Sequence, residues 1–288
     1  MLRDQKQGTR LSTAVRRASL RRRDGRTSIR ITPLSTGRLQ LKPTFLEGSP
    51  SHGGPLGLIR ALWRDPDFTG QLPMWAWIIE TERELVLIDT GARPCATGGV
   101  TRTKFNVSPQ QVLVPELARL GFVPADFDRV LLTHLHGDHV GGLDAFDPHR
   151  VWVAKPEWEP VARFPGRLMR FMTAPVPSGF VPNVFEFDGS PMLGFGSSWP
   201  VTADGSIVAL PTPGHSPGHT SFLVRTGKQD VLLAGDVTYT ARALETQRDQ
   251  GFIADVDKHH DTLRRVAKLI STGVAYLPSH DPESPSRL

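Results

Sequence analysis

The alternation of apolar and polar positions predicts a series of short strands. Residues 75–80 (WAWIIE) and 85–89 (LVLID) are β-rich runs joined by the polar stretch TERE, which predicts a hairpin. Further short apolar runs that predict strands lie at 129–133, 151–154, 207–211, 221–225, 230–234 and 274–278. Because strands alternate with helical patterns in both halves of the chain, we expect sheets covered by helices.

Two helices are predicted between these strands. The first begins at Ser108 and ends at Gly121, and Pro115 in its interior is expected to kink or shorten it. The second begins at Asp255 and carries apolar residues along one face. Residues 155–200, rich in Pro, Gly, Phe and Trp, show no clear period, and we expect loops and a short helix that form the wall of a site.

The charge is unevenly distributed and divides the chain into two parts. The first 30 residues hold ten of the 34 Lys and Arg and two acidic residues, which leaves 24 basic and 27 acidic residues for the remainder. We therefore predict a basic, disordered tail over 1–27 and one domain over 28–288. A start codon placed too far upstream explains the same residues equally well. The other interpretations of the tail are contact with nucleic acid or an anionic surface and an organelle transit peptide.

The composition is that of a globular protein. The chain has 288 residues, 39% of them hydrophobic, which is enough for a full core. No apolar run reaches the roughly 18 residues of a membrane span, and the N-terminus lacks the apolar segment of a secretion signal. A single cysteine excludes an internal disulfide. We expect a cytoplasmic protein with no membrane partner.

A cluster of histidines follows the predicted strand 129–133. The run THLHGDH brings together His134, His136, Asp138 and His139. Buried side chains of this kind repel one another when protonated and lose hydration, and a divalent cation offsets that cost. Imidazole and carboxylate are ligands that zinc prefers, and iron, manganese and cobalt also accept them. In an extended segment residues i and i+2 face the same way, so the first two histidines can bind one ion.

Three further candidate ligands also come directly after predicted strands. These are His215 in TPGHSPGH, Asp236 in LLAGD and His280 in YLPSH. Each has an ordinary alternative: a turn residue, a helix cap and a frayed terminal residue. Together with the cluster they complete two metal sites with a shared carboxylate.

These motifs, in this order and preceded by LIDTG, resemble those of the metallo-β-lactamase superfamily over about residues 72–282. The resemblance implies a four-layer αββα sandwich with two metal ions, most simply zinc, at the edge between two sheets. It divides the seven candidate ligands between the ions: His134, His136 and His215 for the first, Asp138, His139 and His280 for the second, and Asp236 bridging both. It also makes His219 and Asp89 supports for the ligands.

The predicted chemistry is hydrolysis by a metal-activated water. A water between two divalent ions has a lowered pKa and supplies hydroxide, so no Ser or Cys nucleophile is needed. The candidate catalytic residues are Asp138 and Tyr239. Tyr239 lies three residues after Asp236, which resembles the DxxY of N-acyl-homoserine lactonases and implies a hydroxyl that contacts the substrate. The alternative for Tyr239 is an ordinary loop aromatic.

Several alternatives stay open at this stage. Within the superfamily they are a thioesterase of glyoxalase II type, an aryl esterase and a phosphotriesterase; a structural metal domain with a nucleic-acid-tethering tail is a different class. The substrate is expected to be a small ester or lactone rather than a nucleic acid, and a homodimer is compatible with the sequence. Residues 49–63 and 155–200 are expected to shape an acyl pocket. His259 and His260 are expected on the polar face of their helix.

Overall fold

The computed structural model describes residues 29–46, 67–94, 96, 102–163 and 176–288. The predicted tail 1–27, the segment 49–63 and residues 164–175 of the predicted wall lie outside the described residues. The division into a tail and one domain therefore stays a prediction. Within the described part of the chain, no helix is long and apolar enough to cross a membrane.

The described strands and helices are as follows, in chain order. The strands are β1 (Arg30–Gln40), β2 (Leu72–Glu80), β3 (Leu85–Ile88), β4 (Lys104–Asn106), β5 (Arg129–Leu131), β6 (Val151–Ala154), β7 (Asn183–Phe185), β8 (Trp199–Pro200), β9 (Ile207–Pro211), β10 (Thr220–Arg225), β11 (Asp230–Gly235) and β12 (Ala275–Pro278). The α-helices are α1 (Pro43–Leu46), α2 (Leu113–Arg119), α3 (Gly137–Val140), α4 (Lys155–Ala162), α5 (Ala241–Glu245) and α6 (Val256–Ile270). Short 3₁₀ turns lie at Pro109–Gln111, Pro124–Asp126, Leu143–Ala145, Pro148–Arg150 and Ser284–Arg287.

The strands form two mixed sheets. One sheet has seven strands in the order β4-β1-β2-β3-β5-β6-β7, and the other has five in the order β12-β11-β10-β9-β8. The predicted hairpin is confirmed, because β2 and β3 pair antiparallel with Glu80 opposite Leu85. The strands that precede the candidate ligands, β5, β9, β11 and β12, come from both sheets.

The period of two along the strands builds three apolar layers, and these separate four layers of structure. In β2, Trp77 and Ile79 face the other sheet, whereas Ala76 and Ile78 face the outer cluster that contains residues of α2 and α4. In the five-stranded sheet, alternate residues such as Leu223 pack outward against α6. The predicted αββα sandwich is confirmed.

Three details of the sequence prediction are corrected. The first helix does not begin at Ser108: a 3₁₀ turn precedes α2, and Pro115 lies in the first turn of that shorter helix, where its missing N–H costs no hydrogen bond. Strands β1 and β4 were not predicted. The stretch 155–200 contains the expected helix α4 but also the strands β7 and β8. The second helix is confirmed, with the Asp255 side chain accepting a hydrogen bond from the Lys258 amide.

Candidate metal centre

The histidine cluster lies on a strand end that turns into a short helix. The chain leaves β5 at Leu131 and is still extended at His136 (φ −74°, ψ 160°), after which α3 begins at Gly137. His134 and His136 therefore lie on the extended segment, and Asp138 and His139 lie on the helical turn. This change of backbone conformation sends the two pairs of side chains to different places, as their spacing predicts.

One group of candidate ligands consists of three imidazoles. His134 Nε2 lies 2.9 Å from His136 Nδ1, which lies 2.8 Å from His215 Nε2. The three nitrogens are within 4.8 Å of one another, and all three side chains are buried or nearly so. Three neutral imidazole nitrogens that converge in this way form a ligand set suited to zinc.

The second group combines carboxylates and imidazoles: Asp138, His139, Asp236 and His280. Asp236 faces both groups. Its Oδ1 lies 3.2 Å from His280 Nε2 and 3.4 Å from His139 Nε2, and its Oδ2 lies 3.5 Å from His215 Nε2. Asp138 Oδ2 lies 3.3 Å from His280 Nε2. Asp236 Oδ2 also lies 3.3 Å from His280 Nε2, so this carboxylate contacts both groups, as expected of a ligand shared between two ions.

Unsatisfied polar atoms indicate that these residues fit metal ions. His139 Nε2 and Asp236 Oδ1 face each other, yet neither makes a hydrogen bond, and both are buried. Because buried polar atoms are ordinarily hydrogen-bonded, such orphans need a partner. A divalent cation between the atoms supplies one, and the nitrogen and oxygen donors match its preferences.

Hydrogen bonds behind the ligands fix their orientation. Asp89 accepts from the Thr133 amide and hydroxyl, each at 2.8 Å, and its Oδ2 lies 2.7 Å from His139 Nδ1. Its backbone has φ 60°, a conformation that aspartate tolerates better than most residues. The Pro73 carbonyl holds His280 Nδ1 at 2.8 Å. Both contacts leave the Nε2 atoms free to face the centre.

His219 supports the site through the backbone of Asp236. Its Nε2 accepts the Asp236 amide at 2.9 Å, and its Nδ1 lies 2.9 Å from the Thr212 hydroxyl. Burial lowers the pKa of His219 to about 3, so the ring stays neutral and keeps this acceptor. The close approach of the His219 ring to the backbone requires glycine at position 235, because a Cβ there would lie 2.7 Å from His219 Nε2.

The electrostatics of the two groups differ. Burial lowers the pKa of His134 and of His215 well below the usual value, so these rings are neutral, as ligands must be. Burial also opposes protonation of His280, but Asp236 and Asp138 raise its pKa to about 10. In the metal-free protein, protonated imidazole thus balances the carboxylates at the second group, where a cation would otherwise do so.

Tyr239 lies beside the two groups. Its ring centroid is 5.4 Å from that of His280 and 6.0 Å from that of His215, and the residue is buried. Burial, with the charges of Asp236 and Asp138, raises the pKa of its phenol well above the usual value. The metal-free site therefore holds a neutral phenol with a proton to donate.

Some residues at the site were missed by the sequence analysis. Gln250 donates to the backbone carbonyls of Asp236 and Val237 at 2.9 and 2.8 Å, and the Phe252 ring packs 5.4 Å from that of His136. Glu157 bonds to the segments that carry the histidines. These residues lie on a loop and a helix with no motif, so only the folded chain reveals them.

The prediction for His259 is wrong. His259 is buried rather than on the polar face of α6, because the backbone at Gly214 packs directly against it. His260 is partly exposed as predicted, and its Nε2 lies 2.9 Å from Asp249 Oδ1. Neither residue belongs to the two ligand groups.

The chain is similar to a known protein family and to several curated proteins. The model of the Metallo-beta-lactamase superfamily matches residues 69–271. An N-acyl homoserine lactonase of Bacillus cereus is 30% identical over 186 residues, which cover 61% of this chain and 68% of the relative. A probable metallo-hydrolase of Mycobacterium tuberculosis is 30% identical over 178 residues, 58% of this chain and 57% of the relative.

Solved structures show the same fold. An N-acyl homoserine lactone hydrolase with the product N-hexanoyl-L-homoserine at its catalytic metal centre superposes with a TM-score of 0.70 at 22% identity, over 91% of this chain and 97% of that one. The dizinc quorum-quenching lactonase AidC superposes with a TM-score of 0.62 at 17% identity, over 88% of each chain. Because the family model matches most of this sequence, the chain belongs to the metallo-β-lactamase superfamily.

Proposed function

We propose that the chain is a metal-dependent hydrolase that opens lactone rings, with N-acyl homoserine lactones as the substrate class. The observation that carries this proposal is the pair of ligand groups that share Asp236, with the buried Tyr239 ring beside both. The similarity to curated N-acyl homoserine lactonases supports the substrate class.

In the proposed site, His134, His136 and His215 hold one divalent ion, Asp138, His139 and His280 hold the other, and Asp236 bridges them. Zinc suits this donor set, and iron, manganese or cobalt can replace it. Two ions bound there would lower the pKa of a water toward neutrality and polarise the substrate carbonyl. The chain needs no nucleophilic side chain of its own.

The protein residues then orient the substrate and move protons. The Tyr239 hydroxyl donates to the oxygen on which negative charge develops as the ring ester bond breaks. Asp138 is the more open carboxylate, with 10% of its side chain exposed against 3% for Asp236. It can carry the proton released by water to the leaving alkoxide, which ends as the free hydroxyl of the opened product.

The test combines metal analysis with a substrate panel. The purified protein is expected to contain about two metal ions, and Asp236→Ala and His215→Ala are each expected to lose metal and activity together. His149→Ala, an exposed histidine outside the site, is the matched control. Full metal content and full activity in both site variants would contradict the proposed site.

The panel contains acyl-homoserine lactones, simple lactones, aryl esters, phosphotriesters and thioesters. Fastest turnover of acyl-homoserine lactones supports the proposed substrate class. Preference for a thioester, an aryl ester or a phosphotriester would instead assign one of the other superfamily activities. Deletion of residues 1–27 tests the structural-domain alternative, which requires that hydrolysis be absent and that nucleic-acid binding depend on the tail. We also propose that the chain forms a homodimer, and light scattering tests this.

A further inference from the structure

Glu157 is a buried carboxylate that contacts both chain segments of the three-histidine group. It is the third residue of α4 and is 5% exposed. Its Oε1 accepts the Leu135 amide at 3.1 Å, and its Oε2 accepts the Ser216 hydroxyl and the Gly218 amide, each at 2.8 Å. All three donors lie within three residues of a candidate ligand.

The two segments follow strands of different sheets, so their separation depends on contacts between them. Leu135 lies between His134 and His136 and follows β5 of the seven-stranded sheet, whereas Ser216 follows His215, beyond β9 of the five-stranded sheet. Glu157 spans them with one side chain. The contact is close, because a Cβ at residue 218 would lie 2.2 Å from the Glu157 amide nitrogen, so glycine is required there.

A general packing role alone does not explain a carboxyl group at this buried position. A carboxylate is expensive to bury, and a neutral amide could also fill this space and accept hydrogen bonds. Its two oxygens, however, face donors on both sides, and a carboxylate has acceptors on both sides whereas an amide has an acceptor on one only. An ionised Glu157 would also place a negative charge against the two segments that carry His136 and His215, where it would favour a bound cation.

We propose that Glu157 is a positioning residue that sets the distance between His136 and His215, and so the metal affinity of the three-histidine half of the site. This inference rests on the proposed two-metal site. It assigns a role in metal binding to a residue of α4 that would contact neither the ion nor the substrate.

The test is Glu157→Gln, which keeps the shape of the side chain but must turn an amide NH₂ toward the Leu135 amide or toward the Gly218 amide. One segment is then released. We expect metal affinity at the three-histidine half to fall about 10- to 100-fold, the range found for groups that orient ligands. In competition with a chelator, the variant should hold one ion under conditions where the wild-type protein holds two. Cobalt substitution should show loss of one absorption signature and retention of the other.

Two further variants separate positioning from general stability. Ser216→Ala removes one of the three donors and should weaken the same half by a smaller factor, and the double variant should be no weaker than Glu157→Gln because both act in one network. Glu116→Gln is the matched control: Glu116 is also a buried carboxylate on an outer helix, but it pairs with Arg119. It should lower the melting temperature without changing metal content.

The outcomes are distinguishable. Selective loss of one ion in Glu157→Gln, with two ions retained in Glu116→Gln, supports the inference. Two ions held with wild-type affinity by Glu157→Gln would overturn it, as would equal loss of both ions in step with the melting temperature of the metal-free protein. A wild-type protein that binds no metal would overturn the proposed function as well.

Discussion

The Tyr239 hydroxyl can be removed without disturbing its surroundings, which makes Tyr239→Phe an informative substitution. The ring is 6% exposed and belongs to an apolar cluster with Phe45 and Met74, so a phenylalanine ring fills the same space. The contacts to His215 and His280 are between rings, and phenylalanine keeps the same ring. We therefore expect metal content and melting temperature to stay at wild-type values.

The expected kinetic effect follows from the number of groups that stabilise the oxyanion. Loss of a sole, well-aimed donor costs about 100- to 1000-fold in kcat. Here a metal ion would share the charge with Tyr239, so we expect a smaller loss than for a sole donor: a fall in kcat of about 10-fold or more, equivalent to about 1.4 kcal/mol or more of transition-state stabilisation. The assay is lactone turnover at saturating substrate with the metal content measured on the same sample.

The second tyrosine of the chain provides the matched control. Tyr276 is also buried, but its hydroxyl bonds to the Thr238 hydroxyl at 2.9 Å rather than facing the site. Tyr276→Phe should lower stability by about 1 kcal/mol, the usual value of one hydrogen bond, with a smaller effect on kcat than Tyr239→Phe. An unchanged kcat in fully loaded Tyr239→Phe would refute the reasoning and favour a thioesterase or a phosphotriesterase.

Three other predictions follow from the site. Asp89→Asn keeps a residue that tolerates a φ of 60° but weakens the contact to His139. Metal affinity at the second group should therefore fall about 10- to 100-fold in competition with a chelator, and an unchanged affinity would contradict the supporting role of Asp89. Removing metal with a chelator should lower the melting temperature by about 8–16 °C, because metal at 1000 times its Kd adds about 4 kcal/mol, and zinc should restore it; calorimetry without any shift would speak against a bound ion. In the metal-free protein, burial opposes protonation of His280, but Asp236 and Asp138 raise its pKa to about 10. Protonated His280 therefore stabilises the folded state fully at a pH below 6.5, the pKa of the unfolded chain, and this stabilisation is lost as the pH rises toward 10. The melting temperature of the metal-free protein should fall over this window and that of the loaded protein should not; a rise in the metal-free protein would show the sign to be wrong.

The candidate ligands could be recognised in the sequence because each lies within a few residues of the end of a run with a clear apolar pattern. His215 comes four residues after β9, Asp236 comes directly after β11 and His280 two residues after β12. Strand β1 lacks such a pattern. It contains Pro33 and Gly37, and its register with β2 shifts between Ser35 and Arg38, so its pairing depends on the partner strand rather than on its own alternation.

Residues that support the ligands were harder to predict because their partners are distant in sequence. Glu157 is charged and lies in a short helix, a pattern typical of an exposed residue, and nothing local connects it to Ser216, 59 residues away. His259 has the opposite problem: its neighbours in α6 indicate a polar face, but Gly214 brings another backbone against it. Burial of this kind depends on tertiary contacts, which the local sequence pattern does not show.

The origin of the candidate ligands couples the proposed metal site to the packing of the two sheets. The His134 and His139 segment follows the seven-stranded sheet, and Asp236 and His280 follow the five-stranded one. At the same edge the sheets are joined by backbone hydrogen bonds from Thr220 to Thr133 and from Trp75 to Ser279, each 2.9 Å. Since an ion bound by both sets of ligands must hold the sheets at one separation, metal binding and sheet packing stabilise each other. Substitutions that change the separation of the sheets at this edge should therefore change metal affinity even when they leave every candidate ligand in place.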